Sequence, residues 1–418
     1  MKIIVIGAGL IGTATAYFLK CHGHDVEVID REKGPAMDTS FANGGMLTPS
    51  QSEPWNHPGI TWNLVKHFGN PDSPIRFGIG GLSNTFMWGL KFLRNSSKQR
   101  FYRNMIKNAC LTTYSMQVLR QLRDDLGLKY DDRGIGTLKI FTGQEEYAHA
   151  IEHSHVYRDL SVNYQLLDAA ETLKKEPSLE IIKSSLKGGI YYPDDESGDA
   201  HKFCQLLAGH AVAAGVKFHY QTQVKGFEYQ GNDISGIITD QARIEADKYI
   251  LAAGSYSTLL AKTAGIYLPV RPVKGYSLTL DIPDNVARPG IPVIDESRHI
   301  AMATLGSRLR VAGTAELNGY NRSIDNSQVM YMLDYLGSVY PGIVAATSEK
   351  NVNAWSGLRP YSADGVPFIG KTVYSNLYIN TGHGHLGWTM CAGSGKLLAD
   401  ILDGNRTEID IQPYSLER

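Results

Sequence analysis

The chain has 418 residues, 43% hydrophobic and 20% charged, an ordinary globular composition on more length than one hydrophobic core usually serves, so two domains are expected. Forty-one Lys and Arg against 42 Asp and Glu give a formal net charge of −1, which gives no sign of a nucleic-acid partner. Cys21, Cys110, Cys204 and Cys391 stand apart with no C-x-x-C pair, so no zinc site, redox dithiol or other metal centre is expected, and a cytoplasmic, reducing compartment fits.

Lys2 and the apolar run to Leu19 have the outline of a secretory signal. Gly7, Gly9 and Gly12 explain the run better, because residues 2–6 are β-branched and continuous, as in a strand buried on both faces. A glycine turn follows, then a helix over Leu10–Cys21, a break at Gly23-His24 and a second buried strand over Asp25–Ile29 that ends at Asp30. This is a βαβ unit.

The stretch from Trp55 to about Lys98, rich in Pro, Gly, Trp and Phe, predicts short helices, and Tyr102–Leu126 a longer one. Strands are expected at Leu138–Phe141 and Gly189–Tyr192, and a helix over Phe203–Ala214 closed by Gly215. Val216–Tyr220, Val224–Tyr229 and Ile234–Thr239 suggest a small antiparallel set. Tyr249–Leu251 is a buried strand, and Tyr276–Leu280, Ile300–Thr304 and Arg308–Ala312 predict a second sheet. Leu377–Asn380 is a last buried strand and Trp388–Leu402 a last helix. Strand, glycine turn and helix thus recur at both ends, which predicts one nucleotide-binding domain built from both termini with a second domain inserted. No run of 18 apolar residues is present to span a bilayer.

Four elements carry chemistry. Gly7-Ala-Gly9-Leu10-Ile11-Gly12 follows a strand and opens a helix, with Asp30 ending the next strand 18 residues on. This is the dinucleotide fingerprint: a tight turn, close backbone approach to a pyrophosphate, close helix packing and an acid for the ribose. It suits NAD as well as FAD. Thr39-Ser40-Phe-Ala-Asn43-Gly44-Gly45 is a small polar loop able to wrap a pyrophosphate and reach a flavin ring, or an ordinary surface turn. Asn380-Thr-Gly-His-Gly384-His385-Leu386-Gly387-Trp388-Thr389 lies between strand and helix, where N–H groups at a helix start stabilise a reduced, anionic flavin edge; His383 and His385 are equally readable as loop residues. In Trp355-Ser-Gly-Leu-Arg359-Pro-Tyr-Ser-Ala-Asp364, the arginine sits among apolar residues and suits a substrate carboxylate, or an ion pair with Asp364.

Together with Pro49, Tyr191–Asp199, Ala252–Ser257, Val273–Ser277 and Gly357–Pro360, these elements resemble the glycine oxidase/D-amino acid oxidase family of FAD-dependent oxidoreductases over nearly the whole chain. Within it the sequence is most similar to the D-amino acid dehydrogenase small subunits. The resemblance implies an α/β (α+β mixed) fold: a Rossmann-type FAD-binding domain (1–60, 187–272 and 361–418) with an inserted substrate domain (61–186 and 273–360) on a mostly antiparallel sheet. It implies non-covalent FAD contacted by Gly7, Gly9, Leu10, Ile11, Gly12, Asp30, Arg31, Ser40, Asn43, Gly44, Gly45, Met46, Val224, Ala253, Gly254, Arg359 and Gly384–Thr389 (Gly384, His385, Leu386, Gly387, Trp388, Thr389). Arg359 matches the carboxylate-gripping arginine, and Tyr276 a second substrate contact. Leu386 stands where glycine oxidases have an arginine, which argues against glycine as substrate.

The activity implied is oxidative deamination of D-amino acids to 2-oxo acids and ammonia. A hydride passes from the α-carbon to flavin N5, and the electrons pass to a respiratory-chain quinone. A flavin oxidase using oxygen and a proline- or hydroxyproline-type imino acid dehydrogenase are the alternatives. The apolar segment 77–93 (Phe77, Ile79, Leu82, Phe86, Met87, Trp88, Leu90, Phe92, Leu93), followed by Arg94, Lys98 and Arg100, is either a peripheral contact with the inner face of the cytoplasmic membrane or a surface packed within the protein.

Overall fold

A computed structural model describes residues 1–60, 75–77, 82–160, 162–347 and 351–418. Its first sheet has six strands in the order Phe368–Lys371, Leu377–Thr381, Lys248–Leu251, Lys2–Ile6, Asp25–Ile29 and Lys217–His219. All neighbours are parallel except the first two, which form a hairpin. Ile3, Ile4 and Val5 are fully buried because both faces are covered, Ile3 and Val5 by helices and Ile4 by Val224, Phe227, Ile234 and Ile237 of a small antiparallel sheet. Leu10–Cys21, Ala200–Ala213 and Cys391–Asp403 bring Ala16, Leu19, Ala211, Leu397 and Leu398 into these cores. The apolar start of the chain is therefore the centre of this sheet.

A second sheet of nine strands is mostly antiparallel. Val270–Asp281 lies between Val352–Ser362 and Arg308–Leu317, and the sheet continues through Ile300–Leu305, Val293–Asp295, Thr137–Phe141, Gly188–Tyr192 and Gln165–Asp168. Its two parallel pairings are Val293–Asp295 with Thr137–Phe141 and Arg308–Leu317 with Ile75–Phe77. The architecture is therefore mixed α/β, as expected.

Several local expectations change. Lys217–His219 does not join the small antiparallel set; it pairs in parallel with Asp25–Ile29 and forms an edge of the first sheet. The three-stranded set is Val224–Gln230, Asp233–Thr239 and Arg243–Ile244. The long helix starts earlier, at Lys98. The last helix starts later, at Cys391, because Gly384–Leu386 forms a 3-10 turn ahead of it. Gly188–Tyr192, placed above with the nucleotide-binding segments, pairs with Thr137–Phe141 in the second sheet. Of the Trp55–Lys98 stretch, residues 61–74 and 78–81 lie outside the described residues, while Leu82–Arg94 is one helix.

Candidate active site

A cavity of about 1520 Å³ runs between the two sheets. This exceeds the few hundred to about 1,000 Å³ of a drug-sized pocket and leaves room for a large cofactor beside a small substrate.

One part of its wall is the glycine turn. Gly7 has φ +112°, and a Cβ there would lie 2.5 Å from the carbonyl oxygen of Ala252. A Cβ on Gly12 would fall 1.8 Å from the carbonyl oxygen of Gly7, so helix and turn touch at backbone level. Gly9 caps the Leu10–Cys21 helix with no side-chain hydrogen bond and no acid in the first turn. The helix start is thus an unneutralised donor edge suited to an anion. Asp30 Oδ2 accepts the Ala8 N–H at 2.6 Å, and its Oδ1 accepts that of Glu32 at 2.8 Å. Burial raises the Asp30 pKa, and these two bonds oppose the rise.

The Thr39–Met46 loop forms a second wall and is tied from both sides. The Leu10 N–H donates to Ser40 Oγ at 3.3 Å. From the second sheet, Ser277 Oγ donates to the Ala42 carbonyl at 2.6 Å and Arg310 Nη1 to that of Asn43 at 2.8 Å.

The third wall centres on Arg359. Its Nη1 donates to the Thr314 carbonyl at 3.0 Å, and its Cζ lies 5.7 Å from the centre of the Trp55 ring. Among the described residues Arg359 forms no ion pair with a carboxylate. Asp364, the alternative partner, is taken by Arg418 in two hydrogen bonds of 2.9 and 3.0 Å. Burial alone lowers the Arg359 pKa to about 10, which leaves the guanidinium charged at pH 7. Thr314 has φ +58°, an outlier for a β-branched residue, and its Oγ1 is buried without a partner.

Trp55 packs beside both Tyr361 and His385, with ring centres 4.8 and 5.3 Å away, and those two rings are 6.3 Å apart. His385 Nε2 lies 3.0 Å from the Gln51 carbonyl. A carbonyl only accepts, so Nε2 carries the proton and Nδ1, which has no partner, is left as an acceptor. Burial lowers the His385 pKa to about 4, so the ring is neutral at pH 7.

Of the residues expected to form the site, Gly7, Gly9, Leu10, Ile11, Asp30, Arg31, Ser40, Asn43, Gly44, Met46, Val224, Ala253, Gly254, Tyr276, Arg359, Gly384, His385, Gly387 and Trp388 line this cavity. Gly12, Gly45, Leu386 and Thr389 stand behind it. Leu386 is 2% exposed in the core of the first sheet, so it offers no side chain to a ligand. Thr389 Oγ1 accepts the Thr48 N–H at 3.0 Å. The Tyr276 ring faces the cavity, but its hydroxyl donates to Glu316 at 2.7 Å. Trp55, Glu53, Lys139, Tyr157, Glu296 and Thr314 also line the cavity and were not singled out from the sequence.

A dinucleotide cradle therefore runs into a chamber with an uncompensated guanidinium. The family model described as FAD dependent oxidoreductase matches residues 2–401. The chain belongs to this FAD-dependent oxidoreductase family. The oxidoreductase is 41% identical over 421 residues to the D-amino acid dehydrogenase of Granulibacter bethesdensis, covering 100% of this chain and 99% of that one. It is 40% identical to the D-amino acid dehydrogenase of Bradyrhizobium diazoefficiens, with the same coverage. Among solved structures, glycine oxidase from Geobacillus kaustophilus superposes with a TM-score of 0.78 at 22% identity, covering 100% of this chain and 98% of that one. L-proline dehydrogenase from P. horikoshii superposes with 0.72 at 18% identity, with the same coverage. These two likenesses concern the fold.

FAD is the cofactor of this oxidoreductase, and the residues present fit it. The donor edge at Gly9–Ile11 suits the pyrophosphate, and Asp30 ends its strand beside that edge. The Trp388 Nε1 and His383 Nδ1 donors or acceptors are buried without partners, as groups awaiting a polar ligand are.

Proposed function

We propose that the chain oxidises D-amino acids at the Cα–N bond. The observation that carries this is Arg359, a guanidinium without a carboxylate partner among the described residues, walling the same cavity as the dinucleotide cradle. A planar fork of N–H donors suits a carboxylate bidentately. Supporting the D-amino acid class are the names of the full-length relatives. At about 40% identity they also favour the D-amino acid dehydrogenase type over glycine oxidase, at 22%, and within it we propose the small-subunit kind.

Arg359 fixes the substrate carboxylate and with it the orientation of Cα. Bound FAD supplies a two-electron acceptor for the hydride that leaves Cα. The amine lone pair forms the C=N bond as that hydride departs, and the iminium product takes up water to give a 2-oxo acid and ammonium. His385, neutral at pH 7, adds no second cation near the amine. Trp55 and Tyr361 wall off water beside Arg359. No base on Cα is required, so positioning carries most of the catalysis. We assign the nucleotide-binding role to segments 1–60, 187–272 and 361–418 and the substrate role to 61–186 and 273–360, apart from the Gly188–Tyr192 strand.

For the electron acceptor we propose a quinone reached at the inner face of the cytoplasmic membrane. The Leu82–Arg94 helix supports this: Phe86, Met87, Leu90 and Leu93 are exposed, while Trp88 is buried as an anchor. No described helix is long and apolar enough to cross a membrane, so the contact is interfacial. Flotation with anionic vesicles tests it: loss of binding in a Phe86→Ser/Leu90→Ser protein is expected, and unchanged binding overturns it.

The activity is tested by anaerobic titration of the purified yellow protein. Bleaching of the oxidised flavin band by several D-amino acids and not by their L-forms is expected. Bleaching by L-proline alone moves the assignment to an imino acid dehydrogenase. Steady peroxide release in air moves it to an oxidase.

A further inference from the structure

Among the charged groups of the same cavity that the amino-acid reading leaves without a role are Glu53, Lys139 and Glu296. We propose that they form a side-chain subsite, centred on Glu53, that takes amino acids whose side chain ends in a cation. The proposal rests on the function above and specifies its substrate class.

Lys139 lies in the strand Thr137–Phe141, in which every residue is buried. Its Nζ is 3.1 Å from Glu296 Oε2. A buried ion pair is a weak source of stability, because removing both ions from water offsets most of their attraction. Apolar residues of similar volume would serve packing as well, so the pair needs another reason. Lys139 is held protonated against burial by Glu296, Tyr192 and Glu53, and Lys139 in turn lowers the Glu296 pKa. Among the described residues Glu53 receives one hydrogen bond, from the Tyr157 hydroxyl at 3.2 Å.

Among the described residues two carboxylates therefore share one ammonium, and one negative charge is left over. Three imidazoles stand nearby: His57 and His299 towards Glu296, and His153, whose pKa is lowered by burial, towards Glu53. The excess charge and Arg359 face the same cavity. Glu53 precedes Trp55 by two residues, and Trp55 lies against both Arg359 and His385. Arg359, His385, Lys139 and Glu53 all line the same cavity. A ligand anchored on Arg359 by its carboxylate can thus extend a cationic side chain to Glu53. An acidic side chain would meet two carboxylates there and be rejected.

D-Lysine and D-norleucine share a carbon chain and differ by the terminal ammonium, so their ratio of kcat/KM isolates the subsite. With a dye acceptor, the wild-type protein is expected to prefer D-lysine by about tenfold or more, the worth of one charge-assisted hydrogen bond. Glu53→Gln is expected to bring the ratio close to one, and Glu53→Asp to keep most of it. If Glu53→Gln does not fold, Tyr157→Phe, which removes the hydroxyl that donates to Glu53, is expected to change the ratio severalfold. A ratio equal in wild type and variants overturns the proposal. So does an equal fall for both substrates, which would place Glu53 on the α-amine. Failure of the underlying function looks different: neither these two nor D-alanine would bleach the wild-type flavin.

Discussion

Gly275 leaves the space that Arg359 fills: a Cβ built on Gly275 would lie 2.3 Å from Arg359 Nη1 and 2.4 Å from its Cζ. Gly275 sits on Val270–Asp281 directly opposite Gly357 on Val352–Ser362, two residues from Arg359. Gly275 thus opens the sheet surface for the guanidinium, and Gly357 does the same for the Trp355 ring, which a Cβ there would approach to 1.9 Å. Gly275→Ala is expected to push Arg359 out of register and lower kcat/KM by about 100-fold, as ångström-scale misplacement does. FAD content should be unchanged. Stopped-flow reduction at a range of substrate concentrations checks this, and an unaltered second-order rate constant for reduction refutes it.

Arg310 bonds Asn43 from behind the Thr39–Met46 loop and also donates to Thr279 Oγ1 at 2.8 Å. Burial lowers its pKa to about 10, so it remains a cation at pH 7. Arg310→Met keeps the bulk and removes both bonds. FAD affinity should fall about tenfold, the worth of a charged hydrogen bond, as measured by fluorescence quenching on titration of the apoprotein. Equal affinities would remove Arg310 from any part in shaping the loop.

Asp30 organises the glycine turn through Ala8 as well as standing where a ribose acid is needed. Asp30→Ala releases the Ala8 and Glu32 N–H groups together. FAD should bind at least about tenfold more weakly, and the thermal midpoint of the apoprotein should fall too. A drop in affinity with no change in that midpoint would confine Asp30 to the ribose.

His383 and His385 are buried, which lowers their pKa values from the usual 6.5 to about 3 and about 4. Unfolding lets both take up protons below pH 6.5, so their contribution is complete above that pH and declines as the pH falls towards the folded values. At pH 5 each costs about 2 kcal/mol. Asp195 acts in the opposite direction: burial raises its pKa from 3.8 to about 6, so it stabilises the fold by about 1.4 kcal/mol at pH 5. The sum is a loss of about 2 to 3 kcal/mol between pH 7 and pH 5. Denaturant midpoints at the two values check this, and His385→Gln should remove much of the difference.

The local features were readable because their signals are local. Lys2–Ile6, the glycine turn, its helix and Asp25–Ile29 each follow from hydrophobic period and glycine placement within 30 residues. Lys217–His219 shows the limit: three residues of strand carry no mark of which sheet they join, and parallel pairing with Asp25–Ile29 is decided across nearly 190 positions. Trp55 meets Arg359 only after Val352–Ser362 pairs along the whole of Val270–Leu280. Lys139 did leave a trace, since a lysine inside Thr-Leu-Lys-Ile-Phe breaks an otherwise apolar strand. Its partner Glu296, in the turn after Val293–Asp295, left none.

The two halves are stitched together at the cofactor loop and beside it. Besides the bonds from Ser277 and Arg310, Thr39 Oγ1 and Ser255 Oγ both donate to the Leu358 carbonyl, at 2.9 and 2.6 Å. The Tyr320 hydroxyl donates to the Ser255 carbonyl at 3.0 Å. Swinging the sheets apart like jaws would break all of these at once, next to Arg359 itself. Traffic of substrate and product is therefore the business of a door in the chamber wall rather than of a hinge between halves. The residues that limit turnover by gating are then to be sought in the wall segments and not at the crossings between the sheets.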